Sequence, residues 1–426
     1  MAEERDFIDE LIEFQDNWNA VQNPLGGVVD TLTTDPSKVK RWNPAEYKEQ
    51  PRPNSVMCLC VASKSPDPCY RCMEVCPTDA IDVQANSVSL DGDLCRKCGL
   101  CASVCPTNTF MTTKLTARNL YDRVAKAASA YEQAYVTCTR AIGSLGRMPM
   151  GNEIVLPCVG AMPAEIWFSL LADYRNISVF LPEGICDRCR TTTGEAVYVE
   201  MIGLAEEWSG GSVGLEESEE NLTHDLTRAY RRSQFVSSMA SSGVNLVAST
   251  TPVISGAKAV AMRIKNHNDQ LLEMQREIER VVGSKGVSAK RRVLTQRRKS
   301  VLTAIQKHPR LAETYERDVP VCDWSRCTMC GDCVSACPIH ACDIDASGRF
   351  SVEPMYCISC GACMVACEEA AIKMEPCDPS AIVMPDPDAD KLAERRAELA
   401  KRKAEAKEKI NQGLGVIERL VDSPKE

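Results

Sequence analysis

The chain has 426 residues, 44% of them hydrophobic and 26% charged, which predicts two to four packed globular domains. Its 24 cysteines stand against four histidines, so thiolate metal or redox sites are favoured, and His-rich zinc sites or haem attachment are excluded. The net charge of −9 opposes nonspecific nucleic-acid binding.

The N-terminal region, residues 1–57, predicts a helix at 5–20 followed by an extended, Pro- and Asn-rich arm at 43–54. No basic segment followed by an apolar one indicates export. The longest apolar stretch, 154–172, contains Pro157, Pro163 and Glu165, which excludes a membrane span. We therefore expect a cytoplasmic protein whose thiols bind metal or carry out redox chemistry rather than form disulfides.

A cysteine-rich unit occurs twice, at 58–112 and at 321–377. Each copy contains Cys-x2-Cys-x3-Cys-Pro, two short alternating strands around a polar turn, and Cys-x2-Cys-x2-Cys-x3-Cys. In a two-cluster arrangement the Cys-x2-Cys-x2-Cys loop holds three irons of one cubane, and the distant cysteine ligates the other cluster. Structural zinc sites are the alternative, but zinc does not require this crossed, Pro-terminated pattern.

The second unit fits this arrangement completely. One set is Cys327, Cys330, Cys333 and Cys367, and the other is Cys337, Cys357, Cys360 and Cys363. Glu368 replaces the proline after the last ligand, which weakens that turn but removes no ligand. Both units resemble bacterial-type ferredoxins that carry two 4Fe-4S clusters, a resemblance that covers about 100 residues. It implies four 4Fe-4S clusters in the chain.

The first unit departs from the ferredoxin pattern at one ligand. One set is complete, with Cys76, Cys95, Cys98 and Cys101. The other has Cys69, Cys72 and Cys105, but Pro66 stands where its first ligand is expected. Cys60 and Cys58 lie upstream, and we predict Cys60 as the ligand because its loop is shorter. Loop-closure entropy grows too slowly with length for spacing to decide. If neither thiol reaches, a three-iron cluster remains.

Residues 113–210 predict an α/β domain with parallel strands. Helices are expected at 116–134 and 163–174, and strands at 134–138, 153–158 and 177–181. Ligands in open α/β sheets collect beyond the carboxyl ends of the strands. The strand ends therefore predict a four-thiolate site formed by Cys138, Cys158, Cys186 and Cys189.

The sequence around these cysteines, VTC at Cys138, LPCVG at Cys158 and C-x2-C at Cys186 and Cys189, resembles the delta subunit of methyl-viologen-reducing hydrogenase. That resemblance implies a 2Fe-2S cluster that passes electrons to heterodisulfide reductases. An additional 2Fe-2S or 4Fe-4S cluster is the predicted occupant. A redox-active Cys186/Cys189 dithiol, a zinc site and unrelated buried thiols are the alternatives.

The remaining segments are helical by pattern, with a basic segment at 211–320 and a charged tail at 378–426. Lys285–Lys299 holds seven Lys or Arg and no acid. It indicates a solvated helix face, or a docking patch for an acidic partner or nucleic acid. No aromatic residues are interleaved to favour nucleic acid. We expect spare or buried thiols at Cys58, Cys322, Cys342 and Cys377.

These patterns predict an α+β multidomain chain in which two ferredoxin-like dicluster modules flank an α/β domain and a helical segment. No nucleotide-binding or radical S-adenosylmethionine motif occurs. We expect an electron-transfer subunit of a larger anaerobic oxidoreductase, which relays electrons between donor and acceptor subunits. The alternative is a reductase that acts directly on a disulfide or small acceptor at the middle-domain cysteines. The four-cluster subunit of a molybdenum oxidoreductase is disfavoured, because there the motifs usually form one continuous segment.

Overall fold

The computed structural model of the chain describes residues 43–63, 69–227, 278, 292–345 and 347–384. The predicted helix at 5–20, Pro66, the basic residues before Arg292 and the charged tail beyond residue 384 lie outside the described residues. The described residues up to Ile382 belong to one compact unit.

Short antiparallel strands frame the first cysteine-rich unit. Its elements in chain order are β1 (Arg52–Pro53), α1 (Leu59–Ala62), α2 (Arg71–Glu74), β2 (Ile81–Val83), β3 (Val88–Leu90), α3 (Leu100–Val104) and β4 (Phe110–Met111). β2 and β3 form a hairpin with Ile81 opposite Leu90, which confirms the predicted pair of short strands. β1 pairs with β4, so the arm before the cysteines is joined to the end of the unit.

A parallel sheet follows the first unit. Its strands are β5 (Ala134–Cys138), β6 (Glu153–Leu156), β7 (Ile177–Phe180) and β8 (Gly214–Glu216), in the spatial order β6-β5-β7-β8. Every residue of β5, β6 and β7 is buried, as expected for parallel strands covered on both faces. These three strands confirm the prediction. β8 was missed because it is short and exposed, and it lies beyond the predicted domain end at 210.

Helices α4 (Ala117–Ala130), α5 (Thr139–Leu145), α6 (Ala164–Asp173) and α7 (Gly194–Ser209) surround this sheet. α4 begins at Thr116, whose hydroxyl accepts the N–H of Asn119 at 3.2 Å. α6 buries Trp167 and Phe168 and contacts both α4 and α7. Both predicted helices are therefore confirmed. Across the described part of the chain, no helix combines the length and apolar character needed to cross a bilayer.

The second cysteine-rich unit repeats the short strands of the first. It is preceded by α8 (Gln296–Lys307) and α9 (Leu311–Thr314), and contains β9 (Asp318–Cys322), α10 (Asp332–Ser335), β10 (Cys342–Ile344), β11 (Phe350–Val352), α11 (Ala362–Val365) and β12 (Ile372–Pro376). β10 and β11 form the predicted hairpin, and β9 pairs antiparallel with β12. The second hairpin prediction is also confirmed.

α8 packs against α4 and α6, and its first turn contacts both cysteine-rich units. Arg297 donates to the carbonyl of Ser103 at 2.8 Å and to that of Ala102, both in α3 of the first unit. Arg298 donates to the carbonyls of Pro354 and Met355 at 2.9 Å, just before Cys357 of the second unit. Arg297, Arg298 and Lys299 are buried, so the interpretation of this part as a solvated face is wrong.

Candidate metal centres

Three Cys-x2-Cys-x2-Cys loops share one backbone conformation. The residue two positions after the first cysteine of each loop has a left-handed backbone; these residues are Lys97, Met329 and Ser359. The backbone N–H of each donates to the sulfur of that first cysteine at 3.4 or 3.5 Å. A left-handed glycine then begins the short helix that carries the third cysteine, at Gly99, Gly331 and Gly361. Each loop thus curls its three thiols and its N–H groups around one centre.

The four Cys-x3 turns that supply the distant cysteine also share one geometry. In each, the sulfur accepts the N–H four residues on at 3.3 Å, as seen for Cys76, Cys105, Cys337 and Cys367. The third residue after each of these cysteines has a left-handed backbone, namely Asp79, Asn108, His340 and Ala370. The Cys367 turn keeps this geometry despite Glu368. Among the described residues, every non-glycine residue with positive φ lies in these turns or loops, and such strain clusters at functional sites.

The structure brings together both predicted sets of the second unit, each around its own cavity. We call them site 3, with Cys337, Cys357, Cys360 and Cys363, and site 4, with Cys327, Cys330, Cys333 and Cys367. Burial raises the pKa of Cys333 and of Cys360 to about 12, and neighbouring thiols add to the effect. Four thiolates this close need a bound cationic group to remain ionised.

The complete predicted set of the first unit also lies together. We call it site 1, with Cys76, Cys95, Cys98 and Cys101. Burial raises the pKa of Cys98 and that of Cys101, and the nearby site 1 thiols raise both further. Cys101 also lies close enough to Cys72 for the two thiols to interact, which makes the incomplete set the neighbour of site 1.

The fourth cysteine beside the incomplete set's cavity is Cys58, and the predicted ligand Cys60 does not line it. One cavity is lined by Cys58, Cys69, Cys72 and Cys105, which we call site 2. Burial raises the pKa of Cys72 to about 12, and Cys105, Cys69 and Cys58 are the neighbours that raise it further. In the Cys69–Cys72 segment, Tyr70 occupies the position that a left-handed glycine occupies in the other three loops. Its φ is −117°, so the short helix α2 begins from a different backbone conformation.

Cys60 lies behind site 2 instead of on its cavity. It is fully buried inside α1, and its thiol donates to the carbonyl of Cys69 at 3.2 Å. Burial raises its pKa to about 11. Cys58 precedes α1 as its N-cap residue, where the backbone is still extended. The Cys60 thiol also interacts with those of Cys58 and Cys69, but only Cys58 lines the cavity, a difference that loop length does not encode.

The four middle-domain cysteines meet at the carboxyl edge of the parallel sheet, and we call them the edge site. Cys138 ends β5, Cys158 follows β6, and Cys186 and Cys189 follow β7. Burial raises the pKa of Cys138, Cys158 and Cys186, and each of these thiols also interacts with others of the four. A Cβ at Gly194 would lie 2.7 Å from the Cys158 sulfur, so only glycine allows this approach.

The edge site adjoins site 1. Cys158 lies close enough to Cys98 for the two thiols to interact. The Ser103 hydroxyl donates to the Gly160 carbonyl at 2.5 Å, and the Thr193 hydroxyl donates to the Val75 carbonyl, next to Cys76, at 2.6 Å. The middle domain and the first cysteine-rich unit therefore share a bonded interface at these two sites.

A groove separates site 2 from site 3. One wall carries Arg71, Val104 and Pro106 beside site 2, and the other carries Ile358 and Ser359 beside site 3; Arg298, Tyr315 and Arg317 also line it. The Tyr315 ring packs against Trp208 at 4.9 Å and Phe168 at 5.3 Å between ring centroids. Sequence reasoning missed the groove because residues far apart in the chain form it.

Two predicted spare thiols lie beside ligand sets. The side chain of Cys342 in β10 hydrogen-bonds with Cys337 and Cys363 of site 3, and this contact lowers the pKa of Cys337. Cys322 at the end of β9 interacts with Cys327 and Cys367 of site 4. Both thiols are buried, as expected of spare cysteines.

The donor chemistry of sites 1 to 4 fits iron–sulfur clusters. Sites 1, 3 and 4 each combine the three thiols of one loop with the thiol of one distant turn, and site 2 combines Cys58, the Cys69–Cys72 segment and the Cys105 turn. Backbone N–H groups point at sulfurs in all four sites, as cluster ligation favours. Within the described residues, no group of three or more His, Cys, Asp or Glu side chains has the geometry of a site for a single metal ion.

Comparisons with known proteins identify the same class. Residues 63–116 match the LdpA Fe-S cluster-binding domain family, so this part of the chain is an iron–sulfur cluster-binding domain. A ferredoxin of Alicyclobacillus acidocaldarius subsp. acidocaldarius is 41% identical over 51 residues, which are 12% of this chain and 60% of the ferredoxin.

A second relative is a larger protein. The indolepyruvate oxidoreductase subunit IorA of Methanothermobacter marburgensis is 35% identical over 80 residues, which are 18% of this chain and 12% of the relative. The chain therefore matches less than two thirds of the length of either relative. No solved structure matches the chain. The similarity supports an iron–sulfur electron-transfer role.

Proposed function

We propose that the chain is a multi-cluster iron–sulfur electron carrier with 4Fe-4S clusters at sites 1 to 4 and a 2Fe-2S or 4Fe-4S cluster at the edge site. The observation that carries the proposal is that the four cysteines of site 2, of site 3 and of site 4 line three separate cavities, with Cys342 as a fifth cysteine at the site 3 cavity. The family match to residues 63–116 supports it independently.

When bound, the clusters would supply one-electron transfer. The chain's own residues would hold them and set their surroundings. Thiolates at each site would ligate iron, while the N–H groups of the left-handed loops donate to the sulfurs and stabilise their negative charge. Burial of Cys101, Cys105 and Cys363 keeps water from the ligands.

The proposed relay runs in one line from the edge site through sites 1, 2 and 3 to site 4. The support is the electrostatic interaction between thiols of neighbouring ligand sets: Cys158 with Cys98, Cys101 with Cys72, and Cys333 with Cys363. For sites 2 and 3 the support is that residues next to both sites line the same groove: Arg71 and Pro106 for site 2, and Ile358 and Ser359 for site 3. Cys330 of site 4 is exposed, and Cys186 and Cys189 of the edge site are partly exposed, so each end is accessible to a partner.

We further propose that the chain works as a subunit of a larger oxidoreductase in an anaerobic metabolism. A relay with an accessible site at each end suits a donor on one protein and an acceptor on another. The name of one relative, a subunit of indolepyruvate oxidoreductase, supports a role alongside partner subunits.

Iron and acid-labile sulfide analysis of the anaerobically purified full chain tests the proposal. Counting four iron atoms per cubane, we expect about 16 at sites 1 to 4, and about 18 to 20 with the edge site filled. Zinc should be below one equivalent. An iron content near eight (about two cubanes) together with stoichiometric zinc would contradict the proposal.

A further inference from the structure

Site 3 is distinguished by two arginines beside Cys357. Burial raises the pKa of Cys357, and the positive charges of Arg317 and Arg298 oppose that increase. Arg298 reaches this position from α8, and Arg317 lies just before β9. At site 2 the neighbouring arginine is Arg71, which is exposed and therefore screened by water.

Arg298 is a buried cation without a carboxylate partner. Its side chain is 2% exposed, its Nε and Nη2 donate to the carbonyls of Met355 and Pro354, and its Nη1 has no hydrogen-bond partner. Among the ion pairs of the described residues, none involves Arg298 or Arg317. A buried guanidinium is costly unless a negative charge lies close by.

Arg317 adds a second positive charge on the same side. Its Nη1 donates to the Tyr315 hydroxyl at 3.1 Å, and the guanidinium carbons of Arg298 and Arg317 lie 5.8 Å and 6.0 Å from the centroid of the Tyr315 ring. The nearby thiol of Cys377 does not supply a counterion, because burial raises its pKa above the ordinary value of 9.0 and keeps it protonated at neutral pH. Carboxylates line the same groove but form no ion pair with either arginine: Glu165, Glu200, Glu207, Glu316 and Asp318. The anionic group that interacts with both arginines is the thiolate set of site 3, through Cys357.

We propose that Arg298, assisted by Arg317, is the counterion of an iron–sulfur cluster at site 3 and raises the reduction potential of that cluster. The inference rests on the proposed function, because it requires a cluster at site 3. One-electron reduction adds a negative charge to the cluster, and a fixed positive charge in a dry environment stabilises the reduced form more than the oxidised form.

Redox titration with dithionite, followed by electron paramagnetic resonance, tests this role in the anaerobically purified full chain. Arg298→Gln and Arg317→Gln should each lower the midpoint potential of the same single reduction step and leave iron content unchanged. Arg298→Lys keeps the charge and should stay closer to the wild-type potential. Arg297→Gln is the matched control, since Arg297 lies next to Arg298 on α8 but contacts the first unit; it should not move that step.

Each outcome decides a separate claim. Full iron content with no shift in either glutamine variant, or with the same step shifted equally in Arg297→Gln, would overturn the counterion role and leave the proposed function intact. A wild-type chain that binds about eight iron atoms or fewer (two cubanes or fewer) would overturn the proposed function itself. If Arg298→Gln does not fold, Arg317→Gln decides, because that side chain is only partly buried.

Discussion

Cys58 and Cys60 lie on either side of Leu59, but only Cys58 lines the cavity of site 2. Cys58 lines the cavity of site 2, whereas Cys60 is enclosed in α1 and donates to the Cys69 carbonyl. Thiolate is a much better iron ligand than a hydroxyl. The position of each side chain, rather than the length of its loop, therefore determines which of the two cysteines matters for metal binding.

Replacement of Cys58 by Ser should remove about four iron atoms per chain and one set of cluster signals, because site 2 loses its fourth thiolate. Cys60→Ser should keep the full iron content. Iron and sulfide analysis with paramagnetic resonance spectra of both variants provides the measurement. The reverse pattern, with iron lost only in Cys60→Ser, would restore the original sequence prediction.

Residue patterns predicted most of the ligand grouping but not this choice. Fixed Cys-x2-Cys-x2-Cys spacing predicts grouping because the loop itself determines where its thiols lie. Which of Cys58 and Cys60 is the ligand depends on how α1 packs. The entropy of closing the two possible loops hardly differs, so it does not distinguish the two cysteines. Arg297 and Arg298 were interpreted as solvent-facing for a similar reason: their partners, α3 and the segment before Cys357, are distant in sequence.

At the scale of elements, Asp173 joins three helices. It ends α6, accepts the Tyr121 hydroxyl of α4 at 2.6 Å, and lies 3.0 Å from Lys307 Nζ of α8 and 3.2 Å from His308 Nε2. Burial raises the pKa of Asp173, but the Tyr121 hydrogen bond and the Lys307 charge outweigh it, so the pKa is lowered below 3.8. The ionised carboxylate therefore stabilises the packing of α8 on the middle domain.

Asp173→Asn should lower the free energy of unfolding by about 1.5 to 3 kcal/mol, the range for hydrogen bonds to a charged group. Because the folded-state pKa is lowered, this contribution is present above the ordinary pKa and is lost as the pH falls through the lowered value. The loss relative to wild type should thus be present at neutral pH and should shrink as the pH falls below the ordinary Asp pKa of 3.8. Thermal unfolding of the cluster-loaded protein measures it.

The matched control for Asp173→Asn is Arg118→Ala on α4. Arg118 makes a surface pair with Asp122 at 3.6 Å, and its side chain is 60% exposed. Exposed helix pairs contribute about 0.3 to 0.5 kcal/mol, so this variant should unfold close to wild type. A loss for Arg118→Ala equal to that for Asp173→Asn would argue against a specific role of the Asp173 contacts.

Among the elements, the three buried strands and the two hairpins could be predicted because their own residues carry the pattern. β5, β6 and β7 are continuous apolar runs, which parallel strands covered on both faces require. β8 carries no such signal: Gly214 and Leu215 are exposed, and its strand conformation depends on pairing with β7. Sheet edges of this kind are specified by the neighbouring strand more than by their own sequence.

At the scale of the whole molecule, the edge site decides between two functions. Either it holds a cluster that belongs to the electron relay, or Cys186 and Cys189 form a redox-active dithiol that reacts on its own. Its four cysteines come from three chain segments, at or after the ends of β5, β6 and β7 of one sheet, and Cys158 interacts with Cys98 of site 1. A cluster needs every ligand, whereas a dithiol reductase needs only Cys186 and Cys189. The two functions therefore respond differently to the same substitutions.

Serine at Cys138, Cys158, Cys186 or Cys189 should in each case lower the iron content by the same amount, about two to four atoms. Cys377→Ser, at a thiol outside all five sites, should leave it unchanged. Iron analysis and redox titration of the full-length variants give the answer. If Cys138→Ser and Cys158→Ser keep the iron content and the titration while the other two abolish the titration, the dithiol reductase is the better function.

The left-handed residues around the cysteines have a consequence for the life of the protein in a cell. Lys97, Met329, Ser359, His340 and Ala370 are among the seven non-glycine residues in this conformation within the part of the chain that the structure describes. Each costs on the order of 1 kcal/mol, so together they approach the entire net stability of a typical domain. Metal-binding free energy acts as folding free energy in such sites. Newly synthesised chains that receive no iron should therefore be short-lived substrates for proteases, so iron supply would control the abundance of the protein as well as its activity.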